Sequence, residues 1–522
     1  MARGWPEIQT IFPFELYYCL PSTDASFLTL LLQQNEISIM INKVKSLLFF
    51  LLLLLFACTE RADTPSETTA SNQPNVLFIA VDDLRPELGC YGRSNIRSPH
   101  MDQLAAEGFL FERSYCNVAT CGASRASLLT GLRPTPDRFL SYNVRVSEQA
   151  PHAITLPQHF RANGYRTVSL GKVFHHIDDA PQSWSKPAWH PRLDTKGKTG
   201  FRDYQLPENN ALETPEGQRG PPYEMAEVSD TAYYDGKIAN RAIRELGDLK
   251  KKGEPFFLAV GFIRPHLPFS APTKYWDLYP EADIQLPANN TFPKTAPREA
   301  QHSFGELRKY HLIPPEGQLN DELALKLIRG YYASVSYVDA MVGRVLDELK
   351  RLALDDNTIV VLWGDHGWSL MEHGLWCKHS TFSVAMRTAL LLKVPGQNPG
   401  QRIRALTEYV DLYPTLCDLT GLAQPDHLQG SSFSAVLEDV SRKGKGEIFC
   451  RWRKSDAIHD GRYLYTEWFT ENEESVARML YDHETDPEEL NNIAESPGHQ
   501  ALVAGFHEKL LKQRQLDRKA DQ

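Results

Sequence analysis

Cysteine is scarce in this sequence, and none of it falls in a Cys-x-x-Cys pair. Eight cysteines occur in 522 residues: Cys19, Cys58, Cys90, Cys116, Cys121, Cys377, Cys417 and Cys450. That spacing excludes a zinc-ribbon framework, and a chain of this size does not need disulfides, so none is predicted. No apolar run reaches the roughly 20 residues that span a bilayer. There is no basic run, no nucleic-acid-binding motif and no internal repeat. With a formal net charge of −10 and a pI near 6.0, nucleic acid is not an expected partner. An acidic surface still leaves room for a locally basic pocket. Hydrophobic residues at 42% and charged residues at 23% are an ordinary globular balance, long enough for two domains.

The longest apolar run, Leu47 to Ala57, follows the basic segment Met40-Ile-Asn-Lys-Val-Lys. Its length suits the core of a signal peptide. Leu55-Phe56-Ala57-Cys58 resembles a bacterial lipobox, with bulky Phe56 off the preferred pattern; ordinary cleavage without a lipid is the alternative. The expectation is an exported periplasmic or outer-membrane lipoprotein of a Gram-negative bacterium, held to the membrane by lipid on Cys58. Residues 1–39 then read as a mis-assigned extension, 40–57 as the signal peptide and 58–74 as a polar tether.

Beyond the tether the pattern alternates. Val76–Val81, Arg166–Leu170, Phe256–Phe262, Thr358–Trp363 and Leu390–Val394 are continuous β-prone runs, the look of strands buried on both faces. Helical patterns at Pro99–Phe109, Leu156–Ala162, Asp235–Lys251 and Asp321–Leu354 separate them. The expected fold class is α/β, a large mixed sheet flanked by helices over residues 75–439. A smaller α+β domain follows over residues 440–522, with strands near 447–453 and 463–469 and a helix from Gln500 to Arg514. Residues 178–232 and 272–316 read as loops that rim a pocket.

Polar residues follow the strands: Asp82 and Asp83, Lys172 and His175, His266, and Asp365 and His366, with Lys378 just beyond. In an open α/β sheet, ligands gather at the carboxyl ends of strands. Adjacent carboxylates at a buried strand end repel unless a cation or bases hold them; a solvated turn is the bland reading. The stretch Thr120-Cys-Gly-Ala-Ser-Arg-Ala-Ser-Leu-Leu-Thr-Gly-Leu-Arg-Pro134 reads as a helix start, ended by Gly131 and Pro134. Cys121 in a first turn sits in positive potential, which favours a low thiol pKa, and Arg125 shares its face. Read alone, it is equally a buried inert cysteine.

The Cys121-to-Gly131 stretch resembles the signature of the type I sulfatases, Cys-x-Pro-x-Arg followed by Leu-Thr-Gly, in the alkaline phosphatase superfamily. The departure is Ala123 in place of proline. Resemblance extends over residues 74–493, through Val81-Asp82-Asp83-Leu84-Arg85-Pro86, Gly171-Lys172-Val173-Phe174-His175 and Asp365-His366-Gly367-Trp368 to Leu480-Tyr481-Asp482. These strings resemble those of the iduronate-2-sulfatases in particular. In that family the cysteine is oxidised to formylglycine, whose hydrate is the nucleophile. The resemblance implies conversion of Cys121 by a formylglycine-generating or radical maturase. It also implies one Ca²⁺ held by Asp82, Asp83, Asp365, His366 and residue 121. Arg125 and Lys172 would stabilise the hydrate, and His175 would orient or deprotonate it. His266 and Lys378 would bind sulfate and help protonate the leaving alcohol. The implied substrate is a sulfated glycan with a 2-O-sulfated uronate, whose carboxylate asks for extra positive charge from Arg85, Arg264, Arg192, Lys196 or Lys198. Two alternatives stay open: phosphomonoester or phosphonate hydrolysis, which the lack of a clear second carboxylate–histidine set disfavours, and a non-catalytic glycan-binding lipoprotein with unmodified Cys121.

Overall fold

Seven strands form the main sheet of the computed structural model: β1 (Asn75–Val81), β2 (Phe109–Phe111), β3 (Arg166–Gly171), β4 (Phe256–Phe262), β5 (Thr358–Gly364), β6 (Leu390–Lys393) and β7 (Gln401–Ile403), ordered β7-β2-β6-β5-β1-β4-β3. The structure describes residues 73–191, 202–213, 217 and 219–520; Cys58, the signal segment, Arg192, Lys196 and Lys198 lie outside them. β1, β3, β4 and β5 are mutually parallel, with Val76 beside both Phe257 and Ile359. Strand β6 runs antiparallel to β5 and makes the sheet mixed. The unbroken apolar runs are explained by two-sided burial. Along β1, Leu77, Ile79 and Val81 enter one core, while Val76, Phe78 and Ala80 enter the other.

Helices cover these faces, the longer ones being α1 (Pro99–Ala106), α2 (Cys121–Thr130), α3 (Leu156–Ala162), α4 (Tyr234–Lys252), α5 (Asp321–Arg351) and α6 (Leu412–Thr420). α1, α4 and α5 pack on one face, through Leu104, Ile238, Leu246, Val335 and Val342. α2, α3 and α6 pack on the other, through Leu128, Phe160 and Leu416. Each fully buried aliphatic side chain contributes roughly 1.5–3 kcal/mol, so tertiary burial rather than helix propensity holds the frame. The α5 start is capped by Asn320, whose side chain accepts the Leu323 N–H at 2.9 Å.

A separate antiparallel sheet follows, β8 (Ile448–Trp452), β9 (Ser455–His459), β10 (Tyr463–Phe469) and β11 (Ser475–Asp482), in sequential order. Helix α7 (Gln500–Ala520) covers it, packing Val503, Phe506 and Leu510 on Ile458, Tyr465 and Leu480. Three details differ from the sequence expectation. The first helix stops at Ala106, because Phe109-Leu110-Phe111 are all buried as a strand between β6 and β7. Strand β9 carries no apolar run and is made by a two-residue turn, Arg453-Lys454, that pairs Trp452 with Ser455. The loop at 178–232 contains a short strand, Tyr223–Ala226, paired with Phe269–Pro272. Among the described residues every cysteine is free, and no helix is long and apolar enough to cross a membrane.

Candidate active site

Because β1, β3, β4 and β5 are parallel, their carboxyl ends deliver side chains to one edge. Asp82 and Asp83 follow β1, Lys172 follows β3, Asp365 and His366 follow β5, and His266 lies just past β4. The β3 and β4 ends approach closely at Gly171, which has φ +74°; a Cβ there would stand 2.1 Å from the Gly261 carbonyl oxygen. That contact lets the Lys172 N–H donate to Gly261 O at 2.9 Å. Asp83 holds a φ of +61°, unusual for a non-glycine residue, and its N–H donates to Asp365 Oδ1 at 2.9 Å.

Asp82, Asp83 and Asp365 are fully buried and present oxygens within 4.8 Å of one another. Arg125, also fully buried, ties two of them: Nη2 donates to Asp82 Oδ1 at 3.1 Å and Nε to Asp365 Oδ2 at 2.9 Å. Lys172 pairs with Asp82, and Lys378 Nζ donates to Asp83 at 3.0 Å. Thus three carboxylates face three cations, which such burial requires.

His366 tests whether a metal belongs here. Its Nδ1 lies 2.9 Å from the Gly367 carbonyl, an acceptor, so Nδ1 carries the proton. Nε2 is then a lone pair aimed among carboxylates, 3.3 Å from Asp83 Oδ1 and 3.6 Å from Asp365 Oδ1, buried and without a hydrogen-bond partner. Acceptors converging on acceptors fit a cation between them, and the oxygen-rich set suits a hard divalent ion. The Asp83 carboxyl points the same way: burial pushes it well above the usual range, and Lys378 and His266 offset that only in part. Asp82 is the converse. Burial alone would raise it, but Lys172, His266 and Arg125 hold it well below the usual range.

Cys121 is the first residue of α2, with Sγ 3.4 Å from His175 Nδ1. Burial opposes the thiolate, yet the nearby Lys172 and Lys378 ammonium groups bring the thiol below its ordinary value. Burial and then Lys172 lower His175 to about 3, so it is a neutral base. His266 Nε2 and Lys378 Nζ both reach Glu306, each at 2.9 Å.

The structure therefore brings the nucleophile, acid–base and metal candidates picked from sequence into one cavity of about 1100 Å³ or the charged floor beneath it. It does not bring Arg85 or Arg264 to the mouth. Arg85 is buried between Glu87 and Glu372, and Arg264 is 2% exposed, donating to the carbonyls of Ser270 and His266. Residues that sequence reasoning missed line the wall: Glu306, Arg219, Tyr142 and the β8–β9 turn. Glu306, Arg219 and Tyr142 sit in no periodic segment and beside no strand end, so no local signal marks them; the turn follows an expected strand, but of a different sheet. Glu306 also forms, with Asp83 and His266, the second carboxylate–histidine group that the sequence did not reveal. The Lys378 ammonium already occupies it.

Comparison with known proteins agrees with this geometry. The sulfatase family profile matches residues 74–422, and a profile for the C-terminal part of N-sulphoglucosamine sulphohydrolase matches residues 371–516. Iduronate 2-sulfatase of Mus musculus is 36% identical over 434 residues, covering 75% of this chain and 76% of that protein. Its counterpart from Homo sapiens is 35% identical, covering 77% and 78%. Among solved structures, a phosphonate monoester hydrolase of Agrobacterium radiobacter superposes with a TM-score of 0.68 at 25% identity, covering 85% of this chain and 96% of that one.

Proposed function

The chain belongs to the sulfatase family, whose members hydrolyse sulfate esters, and we propose that its substrate is a glycan bearing a 2-O-sulfate on a uronic acid. The observation that carries sulfate-ester hydrolysis is the meeting of Cys121, Lys172, His175, His266 and Lys378 in one cavity above three paired carboxylates, and the uronate is supported by the likeness to the iduronate 2-sulfatases. Formylglycine at position 121, formed by a formylglycine-generating or radical maturase, would supply a nucleophilic hydroxyl when hydrated. A calcium ion on Asp82, Asp83, Asp365 and His366 would neutralise sulfate oxygens. The chain's own groups do the rest. His175, neutral and 3.4 Å from Sγ, is placed to accept a proton from the group at 121. Arg125 fixes Asp82 and Asp365, and Lys172 adds positive charge beside them. His266 and Lys378, converging on the Glu306 carboxylate, are spaced to hold an anionic oxygen group and to pass a proton to the departing alcohol. In this reading the chain is exported and held to a membrane through lipid on Cys58.

Phosphonate or phosphate ester hydrolysis is the second reading, favoured by the Asp83–His266–Glu306 group. Against it, Lys378 fills that group with an ammonium where a second metal would stand. Sulfate release by the matured enzyme tests both. A 2-O-sulfated uronate disaccharide is expected to be cleaved at least about tenfold better, in kcat/KM, than a 6-O-sulfated glucosamine, the ratio that one charge-assisted pair supplies. The reverse order overturns the uronate reading, and preference for a phosphonate ester over both overturns the sulfate reading.

A further inference from the structure

A uronate sulfate ester carries a second anion, the carboxylate, that the sulfate-binding groups do not address. The arginines expected to meet it from sequence are consumed: Arg85 by Glu87 and Glu372, Arg264 by backbone carbonyls. Among the other cations of the cavity wall, Lys454 is paired with Glu471 at 3.4 Å, Arg453 lies over the Trp452 ring on an exposed turn, and Lys309 is an exposed, flexible ammonium.

Arg219 differs from all of these. It lines the same cavity as Cys121, His266 and Lys378. No carboxylate stands within ion-pair distance of it among the described residues. Its guanidinium lies over the Tyr310 ring, 4.9 Å from the centroid, and its Nη1 is buried without a hydrogen-bond partner. Its backbone is fixed on both sides: the Arg219 N–H donates to Lys309 O at 3.1 Å, and the His311 N–H donates to Arg219 O at 3.2 Å. Glu306 is near enough to act on Arg219 electrostatically, but its two oxygens are taken by His266 and Lys378. A stacked, half-buried guanidinium with a fixed backbone loses little freedom on pairing with a planar carboxylate, and an unpaired one beside a cavity is a site for an anion. It thus shares the cavity with the pair that would hold the sulfate without being tied to either member.

We propose that Arg219 is the specificity-determining residue that binds the uronate carboxylate. The assignment rests on the uronate reading given above. The test crosses two enzymes with two substrates: matured wild type and Arg219→Gln, each assayed for sulfate release from a 2-O-sulfated uronate disaccharide and from the same disaccharide with its carboxylate reduced to a primary alcohol. Wild type is expected to prefer the carboxylate form about ten- to a hundredfold in kcat/KM. Arg219→Gln is expected to lose that preference while turning over the reduced substrate within about twofold of wild type, and Arg219→Lys to recover part of it. An equal fall on both substrates, or no change on either, overturns the assignment and leaves the uronate reading standing. Wild-type turnover of a sulfated glucosamine but of neither uronate overturns the uronate reading and the assignment together.

Discussion

The floor and the rim of the cavity are built in opposite ways. On the floor, Asp82, Asp83 and Asp365 come from the ends of a parallel sheet and Arg125 from helix α2; all four are wholly buried and tied to one another. At the rim, Tyr142 is 56% exposed, and Arg219 and the Arg453-Lys454 turn come from a loop and from a different sheet. A buried charge cannot be moved without a large desolvation cost, so the floor fixes one chemistry. Exposed loop residues change at little cost to the fold, so the rim sets which ester reaches that chemistry. Substitutions on the floor should therefore abolish turnover of every substrate, and substitutions at the rim should re-rank substrates.

The largest effect is expected at Asp83. Asp83→Ala removes one oxygen donor and leaves Lys378 without its partner on the floor. Turnover should fall by several orders of magnitude on any sulfate ester, since a catalytic cation contributes several kcal/mol at the transition state. Near-normal kcat in this variant, or after exhaustive chelation, would remove the metal from the mechanism.

Maturation comes next. Ala123 is buried in the first turn of α2, where a backbone N–H has no intrahelical acceptor. Proline is tolerated there, so Ala123→Pro should leave the melting temperature within a few degrees of wild type. In an aerobic host it should raise the fraction of Cys121 converted, read by the mass of the peptide that contains it. Conversion unchanged or lowered would show that the maturase reads something other than the proline.

A third test uses pH, and it separates the rim from the floor by stability. His302 lines the wall, and burial, with a smaller contribution from Arg453, lowers it to about 4. The unfolded chain binds its proton near 6.5, the folded chain only near 4. The stabilisation is thus complete above pH 6.5 and is lost as pH falls toward 4. Between pH 7 and 5 wild type should lose about 2 kcal/mol more than His302→Asn, which keeps an acceptor for the Phe304 N–H. Parallel losses in urea unfolding at the two pH values would show that His302 titrates normally.

The smallest effect is expected at Tyr142, whose ring meets His175 edge-on at 5.9 Å and is otherwise open. Its carbonyl presses on the start of α2, where a Cβ on Gly122 would stand 1.9 Å away, so the loop is fixed although the side chain is exposed. Tyr142→Ala should raise KM for an oligosaccharide about three- to tenfold through lost ring contact and leave a small aryl sulfate unaffected. Equal loss on both would place Tyr142 with the floor.

The sequence by itself determined the frame and the floor. Runs such as Val76–Val81 and Phe256–Phe262 are legible because a strand buried on both faces must be apolar throughout, and their bounds agree with the structure to within a residue. The floor carboxylates are legible because each follows such a run, and parallel topology converts "after a strand" into "at one edge". Only the tertiary structure decided the wall and the partners. Glu306 lies in a proline-rich loop without period, and nothing local says that its oxygens lie 2.9 Å from both His266 and Lys378. Arg85 and Arg264 sit beside site residues in sequence but point away into Glu372 and Ser270, whereas Arg219, flanked by nothing distinctive, turns to the cavity. Strand β9 has no signal of its own and exists because a turn returns the chain to β8. The physical reason is the same throughout. Periodicity and strand ends are local consequences of burial, but the pairing of a charge is settled by whichever opposite charge the fold brings near, at any sequence separation.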